Sequence, residues 1–246
     1  MSRGTGPDRP GTRAAPVRCL LARDRAVFRA VRGSGRPGRC YGSTAAERAA
    51  ALPGDELVVD PQIVCTHAVT IAAGADRIWP WLVQMGWHRG GWYTARWVDR
   101  LLFPANRASA DRILPELQHL TVGDFIPDGP PDTRCGFTLR DLRAREYLVL
   151  RSDSHLPLSW RTRLGARIDW TWAFILRPID EGTTRFIFRW RARTAPRWVT
   201  ALCWTAVVPA DFVMSRDMLR GVTTRAAHGP PAGPRSGRGD APTPPR

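Results

Sequence analysis

Lysine is absent: all 37 basic residues are Arg, and the formal net charge is +15. A nucleic-acid surface usually mixes the two cations, so a total lack of Lys reads as coding bias rather than as a selected patch. The charge predicts a weakly attractive basic surface, with no specific nucleic-acid partner. Weak association with an anionic membrane stays open, because Arg beside exposed Trp suits a headgroup layer. Cysteine is sparse, with five residues (Cys19, Cys40, Cys65, Cys135, Cys203) that never form Cys-x-x-Cys. Their odd number and scatter argue against a disulfide framework or a zinc site, and for reduced thiols in a cytoplasmic protein.

No long uncharged apolar run lies near the N-terminus, which argues against a secretory signal. The nearest approach to a membrane span, residues 198–214, carries Pro209 and Asp211 and falls short of the ~20 residues required, so it reads as a buried helix. Catalytic motifs are missing too. His67, His88, His119 and His155 stand alone on different predicted elements, which gives no metal centre. There is no Gly-x-Ser-x-Gly, and Ser154-His155 sits in a polar turn, which argues against Ser-His-Asp catalysis. Gly90-Gly91 lacks both the strand-helix context and the Lys of a phosphate loop, so no cofactor is expected.

What is abundant is tryptophan. Five of the eleven fall within residues 78–99, IWPWLVQMGWHRGGWYTARWVD. Each buried Trp removes roughly 150–250 Å² from water, on the order of 4–6 kcal/mol gross, so this stretch must be packed, either as core or as pocket wall. The ends are different. Residues 1–16 and 229–246 are dominated by Gly, Pro, Arg, Ser and Thr and cannot bury enough apolar surface to order themselves. Residues 1–55 therefore read as a largely disordered basic leader, residues 56–228 as one domain, and residues 229–246 as a disordered tail. Within the leader, Val17, Leu20, Leu21, Val27, Phe28 and Val31 fall near helical spacing among Arg residues, a short basic amphipathic helix that would carry the membrane association.

Periodicity supplies the domain's elements. Residues 56–72 are rich in β-branched side chains and predict a first strand, with Cys65, His67, Val69 and Ile71 on one side. Ile78, Trp81, Leu82 and Met85 then share a helical face, ended by Gly86; Pro80 suits only a first turn, which would start the helix at Trp79. Residues 122–126, 137–142, 146–152, 169–177 and 183–193 alternate as antiparallel strands. In the last two, Trp170, Trp172, Phe174, Leu176, Phe186, Phe188 and Trp190 face one way and Arg185, Arg189, Arg191 and Arg193 the other, a sheet with one apolar side only. A final helix entered through Pro209 puts Val208, Phe212, Ser215, Leu219, Val222 and Ala226 on one stripe.

In its motifs, Trp79-Pro80-Trp81-Leu82-x-Gln84-Met85-Gly86, then residues 89–93 (Arg-Gly-Gly-Trp-Tyr), residues 113–118, Gly123-Asp124, Thr184-Arg185 and residues 218–221 (Met-Leu-Arg-Gly), the chain resembles an uncharacterised bacterial branch of the START-like superfamily, the polyketide cyclase/dehydrase and lipid transport (SRPBCC) group. The resemblance covers roughly residues 60–227. It implies an α+β helix-grip fold: a curved antiparallel sheet wrapped around a long C-terminal helix, with short helices after the first strand. It also implies a cavity for an apolar or aromatic small molecule and carries over no catalytic residue.

On inward-facing periods the expected lining is Trp92, Tyr93, Trp172, Phe174, Phe188, Trp190, Phe212 and Met218. Gln84 joins them, because an amide in an apolar helix needs either a backbone partner or a ligand. Lipid-, sterol- or polyketide-like ligands fit such a cavity. The alternative is a polyketide cyclase/dehydratase, for which Tyr93, Asp99 and Arg89 are the catalytic candidates; a peripheral membrane or partner-binding protein is the third reading.

Overall fold

The period-two alternation becomes one open, curved sheet. The computed structural model describes residues 38–102 and 107–228. The strands in chain order are β1 (Cys40–Tyr41), β2 (Ile63–Ile71), β3 (Phe125–Pro127), β4 (Gly136–Arg143), β5 (Tyr147–Ser152), β6 (Arg167–Asp180) and β7 (Thr183–Ala195). Across the sheet they run β1-β2-β7-β6-β5-β4-β3. The β1–β2 pair is parallel, and each other neighbouring pair is antiparallel. Around the sheet lie α1 (Ala45–Ala49), α2 (Ala75–Val83), α3 (Arg96–Leu102), α4 (Leu158–Arg163), α5 (Arg197–Leu202) and α6 (Val208–His228). The α+β helix-grip architecture expected from the sequence is the one observed.

Local chemistry explains most boundaries. The helix α2 begins at Ala75 rather than Trp79 and carries Pro80 in its interior. Its buried face (Ile78, Trp81, Leu82) outweighs the backbone hydrogen bond that the Pro nitrogen cannot make. Gly86, at φ 128°, ends the run in a conformation that disfavours a side chain. The final helical rod is longer than expected, because α5 precedes α6 through a single π turn over residues 203–207. Pro209 has no N–H to donate back along the rod, and the adjacent wider turn accommodates that gap. The stripe read from the sequence is the gripped face: Val208, Ser215, Leu219, Val222 and Ala226 are buried, while Phe212 is half-buried.

Two expectations need correction. Residues 38–55 were assigned to the leader, yet β1 pairs with β2 and α1 lies against the outer face of the sheet. A capping box opens α1: Thr44 Oγ1 accepts from Glu47 N, and Glu47 Oε2 accepts from Thr44 N. The outer face is also not left bare. Leu52, Ala68, Val149, Ala173, Ile175 and Ile187 form a second, smaller core on it.

Arginine holds that cover down. Arg189, only 3 % exposed, donates to Thr66 Oγ1, to Asp55 Oδ2 at 2.8 Å and to the carbonyl oxygens of Glu47, Arg48 and Ala50. Arg191 pairs with Asp55 at 3.0 Å, and Arg185 with Glu47 at 2.7 Å. Residues that look like a solvated cationic edge thus become anchors, because two carboxylates from residues 47–55 reach them. Residues 1–37 and 229–246, where the amphipathic leader helix and the tail were expected, lie outside the described residues.

Candidate functional site

The inner face of the sheet meets α6 through aromatic rings. Trp172 packs edge-on against Trp92 (5.2 Å between centroids), Phe188 (5.5 Å) and Trp170 (5.6 Å), while Phe174 stacks on Phe188 at 4.9 Å. Between these rings and α6 runs a narrow crevice lined by Trp92, Thr94, Trp172, Phe188, Asp211 and Met218, with Met214 and Ser215 alongside. Its free volume is about 10 Å³. Ligand pockets usually start near ~300 Å³, so the open hollow expected between sheet and helix is instead filled by side chains.

The crevice has a polar floor. Asp211 accepts from the indole N–H of Trp190 at 2.5 Å and lies 3.5 Å from His67 Nε2. His67 is fully buried and stacks on Phe188, with Phe212 edge-on to it. Cys65 lies in the same strand two residues away; burial first, then the nearby Asp211 charge, pushes its thiol far up, so it stays protonated.

Several donors in this region are unmatched. The indole N–H groups of Trp92, Trp170 and Trp172 have no acceptor among the described residues, and neither ring nitrogen of His67 has a hydrogen-bond partner. A buried unmatched donor costs about 1–3 kcal/mol, so three indoles in one aromatic cluster need a reason. Trp92 also forms one wall of a shallow outer dimple of about 120 Å³ beside Trp87, Arg89, Arg107 and Ser109. Trp92 thus lines both the dimple and the crevice.

The expected site residues divide between this crevice and the framework. Trp92, Trp172, Phe188 and Met218 line the crevice; Trp190 and Phe212 sit at its polar floor, against Asp211 and His67. Phe174 is core, between Phe186 and Phe188.

Gln84 is fully buried but spent on backbone: its oxygen accepts from Leu114 N and its amide donates to Arg112 O. Tyr93 is corrected from lining and catalysis to a clamp. At φ 58° it donates its hydroxyl to Trp81 O at 2.8 Å, its N–H bonds Ser109 Oγ, and Arg225 stacks over its ring at 4.6 Å. Burial raises its phenol well above the ordinary value, which further removes it from proton transfer. Arg89 is likewise corrected, since its guanidinium donates to the carbonyls of Val83 and Met85 at the end of α2. The side chain of Asp99 lies outside the described residues.

The polar floor was legible in part. Asp211 falls three residues after Val208 and four before Ser215, an acid on the buried stripe of an apolar helix. His67 shares the inward parity of Cys65 and Ile71. What the sequence hid is that the two approach each other across 144 positions.

A second polar group, in what the sequence presents as a polar turn, links the end of β3 to the end of β5. His155 bonds Ser152 Oγ through Nδ1 at 2.7 Å and Asp128 Oδ2 through Nε2 at 3.0 Å. Burial opposes charge on this imidazole, but hydrogen bonds to Asp128 and Cys135 and the carboxylate's charge outweigh it and push the pKa up to about 9. At neutral pH the ring is therefore protonated and cannot take the Ser152 proton. The trio holds a loop and does not activate a nucleophile.

No protein-family model and no curated protein sequence matches the chain. Among solved structures it is similar to a hypothetical protein from Helicobacter pylori (9 % identity, 72 % of this chain and 95 % of that one, TM-score 0.46). A Thalictrum norcoclaurine synthase point mutant in complex with a transition-state analogue matches at 15 % identity over 68 % of this chain and 98 % of that one, with TM-score 0.36. The Aha1 dimer from Colwellia psychrerythraea matches at 18 % identity over 63 % and 94 %, with TM-score 0.32.

Proposed function

We propose that this START-like chain binds a small aromatic or polyketide-like molecule beneath α6, one that carries both an acceptor oxygen and a hydroxyl. The observation that supports this reading is the coincidence, along one apolar crevice, of the unmatched Trp92 and Trp172 donors with the Asp211 carboxylate. A ligand carbonyl satisfies an indole N–H, and a ligand hydroxyl donates to Asp211. The closed volume means that binding requires movement. Met214 and Met218 are unbranched side chains that reposition at low cost, the π turn before α6 interrupts its regular hydrogen bonding, and Trp92 lines both crevice and dimple.

Titration of the full chain with naphthol, followed by calorimetry, tests this. Trp172→Phe removes one of the donors and weakens binding about fivefold; Ser215→Trp fills the crevice and abolishes binding. Naphthol heat unchanged by both substitutions rejects the site.

A second reading, a cyclase/dehydratase, draws on the 3.5 Å approach of His67 to Asp211, an imidazole and a carboxylate inside an apolar wall. It requires that Asp211→Asn abolish turnover of an added polyketone while naphthol still binds.

A further inference from the structure

The helical rod from Arg197 on is long and apolar enough to cross a membrane by length and composition alone, yet only 28 % of its apolar window is buried in the protein. Its later turns are held by the sheet, with Leu219, Val222 and Ala226 fully buried. The uncovered part is the beginning, where residues 198–210 contain no charged side chain. There Trp198 is 39 % exposed and packs edge-on against Trp160 of α4 at 5.4 Å. The same short helix and the residue after it present Leu158 and Leu164, which are 70 % and 55 % exposed. Three large apolar side chains thus stand out of the surface where α4 meets α5.

The charge around them has one sign. Residues 157–167 and 196–210 contain Arg161, Arg163, Arg167 and Arg197 and no Asp or Glu. Beside α4 opens a cleft of about 1070 Å³ on the outer face, where Arg134, Arg140, Arg151, Arg161, Arg167 and Arg193 face only Asp153 and Asp169. Exposed Leu and Trp ringed by guanidinium groups match the two layers of an anionic bilayer, acyl boundary and headgroup phosphate. From this complementarity we infer that α4 and α5 dock the protein onto an anionic lipid surface, with Leu158, Leu164 and Trp198 in the acyl boundary and Arg161, Arg163 and Arg197 on the phosphates. The rod then lies along the membrane rather than through it, because the sheet keeps its other end.

Co-sedimentation of the full chain with phosphatidylglycerol-rich vesicles, against vesicles of phosphatidylcholine alone, tests the assignment. Binding is expected to the first and not the second. The triple variant Leu158→Ser, Leu164→Ser, Trp198→Ser lowers the partition on the order of a hundredfold, and Arg161→Gln and Arg163→Gln about fivefold each. Leu158 and Leu164 are the more exposed of the three, so the double variant Leu158→Ser, Leu164→Ser loses binding with an unchanged melting curve. Equal binding to both vesicle types, or undiminished binding of the triple variant, overturns the assignment. So does binding lost on deleting residues 1–37 but kept in the triple variant, which moves the contact to the leader. A dimer that the triple substitution dissolves, with no vesicle binding by the parent chain, assigns the patch to a second copy instead.

Discussion

On the inner face of the sheet, Trp170, Trp172, Phe174 and Phe188 interlock beneath α6 and leave about 10 Å³ free. On the outer face, the same strands present Arg185, Arg189, Arg191 and Arg193, and what happens to each depends on who supplies a carboxylate. Where residues 47–55 cross the sheet, Glu47 pairs with Arg185, Asp55 is shared by Arg189 and Arg191, and a small core forms beneath. Further along, towards α4, only Asp153 and Asp169 face six Arg residues, and a cleft stays open. An aromatic face closes on itself, because dispersion and burial need only more of the same kind of side chain. A cationic face closes only where the chain brings the opposite charge.

The sharpest way to break this contrast is to remove that charge. Asp55→Ala strands Arg189, 3 % exposed, and Arg191 without their carboxylate. Breaking one side of a buried pair costs about 3–5 kcal/mol, so urea unfolding should show residues 44–58 leaving the sheet and a sharply lower midpoint. A midpoint within experimental error of the parent means that the guanidinium is held by backbone carbonyls alone.

The second largest effect sits at the seam of the two faces, where His155 packs between Phe137 and Trp170 while Ser152 and Ser154 open on the cleft. Its pKa in the fold, about 9, exceeds the ordinary 6.5. The stabilisation is therefore complete below about pH 6.5 and is lost as pH rises through about 9, a difference on the order of 3 kcal/mol. Comparing the parent with His155→Gln by urea unfolding from about pH 6 to about pH 10 should show the gap closing with rising pH; a constant gap rejects the charged-pair account.

The smallest effect sharpens the inner-face side. Tyr93→Phe removes only the hydrogen bond to Trp81 O and leaves a buried carbonyl with one partner fewer, about 1–2 kcal/mol. Naphthol binding should not change, because Tyr93 does not line the crevice and its hydroxyl is held by Trp81 O. Loss of binding with stability intact would return Tyr93 to the site.

Periodicity carries much of this fold. The alternation in residues 169–193 gave strands and facing, and the stripe from Val208 to Ala226 gave the gripped face of α6. Gly221, on that helix, comes so close to the Tyr93 backbone that a β-carbon there would collide with Tyr93 O. Short elements escaped. The five residues of α1 and the two of β1 carry too little pattern to separate from a Gly- and Pro-rich leader; α1 owes its place to Arg185 and Arg189, more than 130 positions away, and β1 to its pairing with β2. The lining of the crevice was legible as a set of inward aromatics, whereas the backbone partners of Tyr93, Arg89 and Gln84 cannot be seen in one dimension.

Sequence alone determined the layering of this protein: which side chains must leave water, at which period, and therefore a sheet gripping a helix. Those are local properties, fixed by alternation and by the cost of exposing Trp. Whether the grip encloses a hollow, and which Arg meets a carboxylate, was decided only in three dimensions. Packing density and charge pairing depend on distances between residues far apart in the chain, and a linear pattern carries no measure of those distances.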